Sequence, residues 1–232
     1  MRFCRCEMLI GADALENLKN SSVAVFGVGG VGGYVVEALT RSGVGRIAII
    51  DKDVVDESNI NRQIVALTST IGKNKVDVMK QRMLDINPDV KVEAHCEFYL
   101  PDNADFIELG SFDYVVDAID NVTAKIELIK RCKQADVPII SAMGAGNKLD
   151  PTRIEIADIS KTSVCPLAKV IRRKLADLGI EGVTVAYTRE IPANASGGRT
   201  PASMMPVPAA MGLTMASKVL RDLSGMQIKS IS

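Results

Sequence analysis

The segment "SVAVFGVGGVGGYVVEAL", residues 22–39, constrains the fold more than any other stretch. A short unbroken apolar run reads as a fully buried strand, enters a glycine turn and leaves as a helix. Gly27, Gly29 and Gly32 satisfy G-x-G-x-x-G, with Gly30 and Gly33 added. Glycines at these positions allow a tight turn. They also let backbone N–H groups and the helix N-terminus approach phosphate oxygens. The helix is expected to stop at Gly43 or Gly45, and "RIAIID" supplies the next buried strand. Strand, helix and strand make a right-handed βαβ unit, which implies a parallel sheet.

The alternation continues. "KNKVDVMKQRMLDINP" places Val76, Met79, Met83 and Ile86 on one helical face, closed off by Asn87-Pro88. "VKVEAHCEF", "FDYVVDAID" and "VPIISAMG" read as strands, and "VTAKIELIKRCKQAD" as a helix. The pattern predicts an α/β fold, Rossmann-like and doubly wound, whose mostly parallel sheet occupies residues 1–146. Residues 147–232 read as a C-terminal extension of strands and helices within one domain. There "RIEIADIS" and "GVTVAYTRE" are strands around the helix "PLAKVIRRKLADLG". Residues 191–208, "IPANASGGRTPASMMPVP", lack periodicity and predict a long loop of the functional or disordered kind. "AAMGLTMASKVLRDL" is a small-residue helix suited to close packing or to a subunit interface.

Composition narrows the function classes. The chain has 232 residues, 47% of them hydrophobic and 24% charged, normal for a soluble protein with a real core. Lys+Arg and Asp+Glu both number 28, which rules out a strongly basic coat protein but not a localised nucleic-acid surface. The first residues lack the long apolar region of a signal peptide, and no apolar run reaches the ~18 residues of a membrane span. A cytoplasmic location is expected. The five cysteines, Cys4, Cys6, Cys96, Cys132 and Cys165, form no C-x-x-C, and His95 is the one histidine. Neither a disulfide framework nor a four-ligand zinc site is expected.

Asp51 ends the second strand, nineteen residues after Gly32, where its carboxylate can accept from ribose hydroxyls. To this point a dehydrogenase fits as well as an ATP enzyme. "DKDVVDESNINRQI" separates them, because a dinucleotide site has no general need for Asn59, Asn61, Arg62 and Gln63 there. Arg62 offers a rigid fork for phosphate oxygens, and Lys75, thirteen residues on, a second positive charge. "DAIDN" puts Asp120 at the carboxyl end of a parallel strand, well placed for Mg2+ beside a triphosphate.

Together, "GVGGVGG", "IIDKDVVDESNINRQ", "GKNK" and "DAIDN" resemble the ubiquitin-activating (E1-like, ThiF-type) superfamily. Those enzymes adenylate a carboxylate with ATP. The resemblance implies Gly27, Gly29, Gly30 and Gly32 around the phosphates and Asp51 on the ribose. It implies Asn59, Arg62 and Lys75 around the triphosphate and Asp120 on Mg2+, with Asp53, Ser58, Gln63 and Asn121 completing the nucleotide contacts. "RFCR" resembles the family's R-Y-x-R segment, whose second arginine, here Arg5, enters the ATP site of the partner in a homodimer. Lys125 stands where many relatives carry arginine, which leaves its contact with phosphate open.

"RFCRCEMLIG", "DISKTSVCPLAKVIRRKL" and "GGRTPASMMPVPAAMGLTMASKVLRDL" are similar to a narrower branch, the tRNA threonylcarbamoyladenosine dehydratases. What the likeness implies is a ligase-class reaction. The threonyl carboxylate of the modified adenosine attacks ATP, and its carbamoyl group then closes a ring and expels AMP. The partners implied are tRNA, a second copy of the chain and a sulfur-relay partner. No protein nucleophile is needed, so Cys165, although at a helix start, is expected to be structural. Lys161, Lys169, Arg172, Arg173, Lys174, Arg189 and Arg199 are the basic residues available to tRNA, Arg199 within the long loop. Two alternatives stand beside this reading. One is adenylation of a sulfur-carrier protein's C-terminal glycine, whose enzymes usually carry two C-x-x-C pairs. The other is an NAD-dependent oxidoreductase, resting on the glycine loop and Asp51.

Overall fold

The computed structural model describes residues 2–193 and 201–226. Two helices come first, α1 (Cys4–Ile10) and α2 (Ala12–Asn20), where the sequence pattern showed only an apolar patch followed by charges. The apolar run then forms β1 (Ser22–Phe26), buried at every position. Its side chains divide by the strand's period of two. Val23 and Val25 enter the core on one face of the sheet, Ala24 and Phe26 the core on the other. The glycine turn opens α3 (Gly32–Arg41), and β2 (Arg46–Ile50) follows.

The chain continues through α4 (Lys75–Ile86), β3 (Lys91–His95), β4 (Tyr114–Asp117), α5 (Val122–Gln134) and β5 (Ile139–Ala142). Then come β6 (Ile154–Asp158), α6 (Pro166–Asp177), β7 (Thr184–Thr188) and α7 (Pro206–Ser224). The seven strands make one sheet in the order β3-β2-β1-β4-β5-β7-β6. All neighbours pair in parallel except β6, which runs antiparallel to β7 at the edge. Phe26 lies opposite Ile50 on one side and Asp117 on the other, so β1, β2 and β4 end along one line. The chain order reverses between β1 and β4, the place where open α/β sheets hold ligands.

Helices α3, α4 and α7 cover one face, through Val35, Leu39, Met79, Met83, Met211 and Met215. Helices α5 and α6 cover the other, through Leu128, Ile129, Ile171 and Leu175. On α4, Val76, Met79 and Met83 are buried as the spacing predicts, and Ile86 is half-buried. The small residues of α7 serve close packing within the chain: a Cβ on Gly212 would stand 2.3 Å from the Val31 carbonyl oxygen.

The expected loop at 191–208 is shorter than its composition suggests, because Pro206 and Pro208 lie in the first turn of α7. First-turn N–H groups have no intrahelical partner, so proline loses nothing there. Residues 194–200, with Arg199, lie outside the described residues. None of the described helices is long and apolar enough to cross a membrane.

Candidate active site

A cavity of about 1020 Å³ opens at the carboxyl ends of β1, β2, β4 and β5. Its floor is the glycine turn. Gly27 has φ +88°, and a Cβ there would stand 2.7 Å from the Ala118 carbonyl oxygen. A Cβ on Gly32 would stand 1.8 Å from the Gly27 carbonyl oxygen, so Gly32 lies beneath the turn rather than on the cavity wall. Backbone meeting backbone makes both positions glycine. Gly29 and Gly30 face the cavity, where a Cβ would first meet Gln63 at 3.8 Å and Arg62 and Pro208 at 3.5 Å. Asp51 fixes the turn from β2. Its Oδ2 accepts from the Val28 N–H at 2.7 Å and its Oδ1 from the Asp53 N–H at 2.9 Å. Each oxygen carries one such bond and keeps acceptor capacity, and the residue lines the cavity.

The cations come from the segment after β2. Arg62 lines the cavity and donates from Nη1 to the Ser58 carbonyl and to Asn61 Oδ1, both at 2.9 Å, which leaves its other N–H donors without a partner among the described residues. Ser58 does not line the cavity. Its hydroxyl donates to Asp56 at 2.6 Å, and the residue acts as the strut of Arg62. Asn59 closes the same turn, accepting from the Asp56 N–H at 3.2 Å, and still lines the wall. Asn61 points away and ties the Ser203 carbonyl at 2.8 Å. Lys75, only 5% exposed, pairs with Asp53 at 2.8 Å. Gln63 is buried beside them, and its Oε1 has no partner among the described residues.

Asp120 follows β4 by three residues, exposed at the cavity rim. No donor among the described residues reaches its carboxylate. Asn121 holds the next step, its Oδ1 capping α5 by accepting from the Ala124 N–H at 3.0 Å. Among the described residues no group of three or more His, Cys, Asp or Glu could hold a metal ion. A single carboxylate fits Mg2+, which takes one or two protein carboxylates and completes its shell with phosphate oxygens and water.

Lys125 is fully buried, pairs with Asp117 at 2.9 Å and Ser141 at 3.2 Å, and does not line the cavity. Arg5 is exposed on α1 and does not line the cavity of its own chain. A smaller polar pocket beside α1 uses Arg2, Arg41 and Arg82, which are bonded to the Ile86 carbonyl and Glu37. Of the basic residues offered to tRNA, Arg172 is tied to Thr162 at 2.7 Å and Arg189 to Glu155 at 2.9 Å. Lys161, Lys169, Arg173 and Lys174 are exposed.

Sequence reasoning missed the far wall. Lys52 stacks over Phe98 at 3.9 Å, and Phe98 and Tyr99 line the β3 side. Met143 to Lys148 follow β5, with Cys165, Pro201 and Ser203 facing them. Cys165 is buried at 3% exposure, at the N-cap of α6. Lys148 is 4% exposed, and burial pulls its pKa below the ordinary lysine value despite Cys165 and Glu190 nearby. The rule that singled out Asp120, polar groups just past a parallel strand, also selects the turn after β5.

The model of the ThiF family matches residues 3–232. A tRNA threonylcarbamoyladenosine dehydratase of Bacillus subtilis strain 168 is 48% identical over 99% of this chain and 98% of its own. One of Haemophilus influenzae is 45% identical over 75% of this chain and 67% of its own. The crystal structure of the E. coli tRNA N6-threonylcarbamoyladenosine dehydratase, TcdA, in complex with ATP superposes with a TM-score of 0.91. It is 35% identical, and the match covers 97% of this chain and 94% of that one.

Proposed function

The chain belongs to the ThiF family, and from that premise we propose that it is an ATP-dependent tRNA threonylcarbamoyladenosine dehydratase acting as one adenylation unit in the cytoplasm. One observation carries the reading: the glycine turn, Asp51, Arg62, Lys75 and Asp120, scattered over ninety-four residues, line a single cavity. ATP lies with its ribose at Asp51 and its phosphates over the turn and the start of α3. Arg62 and Lys75 neutralise the triphosphate. Asp120 would hold Mg2+, which when bound would supply charge neutralisation at the phosphates.

The substrate brings the nucleophile. A carboxylate oxygen of the threonylcarbamoyl group bonds to the α-phosphorus, and the bond to pyrophosphate breaks. The carbamoyl group then bonds to the activated acyl carbon, the bond to AMP breaks, and the carbamoyl proton leaves. The net change in tRNA is loss of water. The chain's contribution is positioning and charge. No step calls on a thiol, in keeping with Cys165 as a packed wall residue.

A homodimer belongs to the same proposal, with Arg5 reaching the partner's ATP. Supporting it, α1 buries no residue of its own and exposes Met8 at 85% and Leu9 at 81% beside Arg5. The test is nucleoside mass spectrometry on threonylcarbamoylated tRNA incubated with the chain, ATP and Mg2+. The expected product is eighteen mass units lighter, as loss of one water requires. Asp120→Asn removes it while the fold stays intact. Full turnover by that variant contradicts the assignment.

A further inference from the structure

The cavity has two ends of different make. The β1–β2 end holds the glycine turn, Arg62 and Lys75. The β5 end is walled by Met143, Gly144, Asn147, Cys165 and Pro201, and its one charged lining residue among those described is Lys148. β5 stands two strands from β1, about 10 Å across the sheet at ordinary strand spacing. That is a reach for a second reactant beside the nucleotide.

Lys148 is placed there with care. Asn147, at φ +58°, donates its N–H to the Ala202 carbonyl at 2.7 Å, accepts the Ala202 N–H on its side-chain Oδ1 at 2.8 Å and accepts the Ala193 N–H on its carbonyl at 2.8 Å, which pins the turn to both sides of the C-terminal segment. The buried ammonium donates to the Glu190 carbonyl oxygen, a neutral acceptor. The Glu190 carboxylate is engaged elsewhere, accepting from the Leu149 and Asp150 N–H groups at 2.9 Å. No carboxylate among the described residues lies within ion-pair distance of Lys148. A desolvated ammonium with donors to spare, whose nearby Glu190 carboxylate is already engaged with backbone N–H groups, is costly unless an anion completes it.

We infer that Lys148 receives the carboxylate that is to be adenylated. This rests on the dehydratase reading above, whose substrate enters as a carboxylate and must approach a triphosphate of the same sign. Lys148 holds that carboxylate at the β5 end with one oxygen free to meet the α-phosphorus. Arg62 and Lys75 stay with the leaving pyrophosphate. Once the acyl-adenylate forms, the same ammonium faces the acyl oxygen and bears its charge while the ring closes.

The test uses the full chain with Lys148→Met, Lys148→Gln and Lys148→Arg beside the unaltered protein. Dehydration of threonylcarbamoylated tRNA gives kcat/KM, calorimetry gives ATP affinity, and melting shows that each variant is folded. Met and Gln lower kcat/KM by about 10- to 100-fold, the worth of one charge-assisted hydrogen bond, with ATP affinity unchanged within about twofold. Arg restores part of the rate. Met or Gln variants with ordinary kcat/KM overturn the inference, as does an ATP affinity that falls in step with it. An unaltered chain that makes no cyclic product refutes the dehydratase reading itself.

Discussion

The pair of Lys125 and Asp117 offers a sharp test of how the site is supported. Neither side chain has exposed surface. Asp117 Oδ2 receives Lys125 at 2.9 Å and the Ser141 hydroxyl at 2.5 Å, and Oδ1 receives the Ile119 N–H at 3.1 Å. Lys125→Met keeps the volume and removes the ammonium. The buried carboxylate then keeps two neutral donors and no counter-charge. Removing one partner of a fully buried pair costs about 3–5 kcal/mol, and the surviving donors favour the lower figure. At roughly 2–4 °C per kcal/mol for a chain of this size, the melting temperature falls by about 6–12 °C at the lower figure. Urea unfolding at one fixed protein concentration gives the free energy directly. The variant carrying both Lys125→Met and Asp117→Leu recovers most of the loss, because no lone charge remains. A single variant within about 1 kcal/mol of the parent refutes the reasoning, as does a double variant no better than the single.

Three further outcomes follow from the packing. Gly32→Ala drives a Cβ to 1.8 Å from the Gly27 carbonyl oxygen, so the turn shifts and ATP affinity falls by at least about tenfold, whereas Gly29→Ala, with 3.8 Å of room, leaves stability intact; calorimetry and melting separate them. Burial pushes the Glu37 carboxyl up, but bonds from Arg82 and Arg41 outweigh it and hold the pKa below the ordinary 4.5. Its contribution is therefore present above pH 4.5 and is lost as pH falls through the folded value. Glu37→Gln costs about 1–3 kcal/mol at pH 7, and the difference narrows in acid; an equal difference at pH 7 and at about pH 3 contradicts the assignment. Val164, β-branched at φ +64°, is strained, and Val164→Gly stabilises by up to about 1 kcal/mol after glycine's own entropy cost, which a melting curve reads.

The central strands were legible because β1, β2, β4 and β5 sit inside the sheet and must be apolar on both faces. The direction of β6 was not, since alternation says nothing about parallel or antiparallel pairing. Helix α1 escaped notice for a physical reason: it buries no residue, so it carries no apolar stripe to read. That Asp51, Arg62, Lys75 and Asp120 share one cavity was legible because each lies just past a strand or within its following segment. Ser58 belonged to the same stretch but turned out to brace Arg62, a distinction that only side-chain direction reveals. Lys125 sits a helical turn past Asp120, and spacing alone cannot say that α5 points it inward. The strand-end rule reaches the turn after β5 but does not single out Lys148, because the residue it bonds, Glu190, and those that pin its turn, Ala193 and Ala202, are distant in sequence and adjacent in space.

The crossing of α7 over the start of α3 has a consequence for synthesis. The phosphate turn is among the first parts of the chain to be made, yet Pro208 packs on Gly30 and Gly212 on the Val31 carbonyl. The opposite wall likewise waits for Pro201 and Ser203. Until α7 is made, Gly29, Gly30, Arg62, Lys75 and Asp120 line an unfinished cavity. The complete cavity therefore exists only once residues nearly two hundred positions apart have closed on each other.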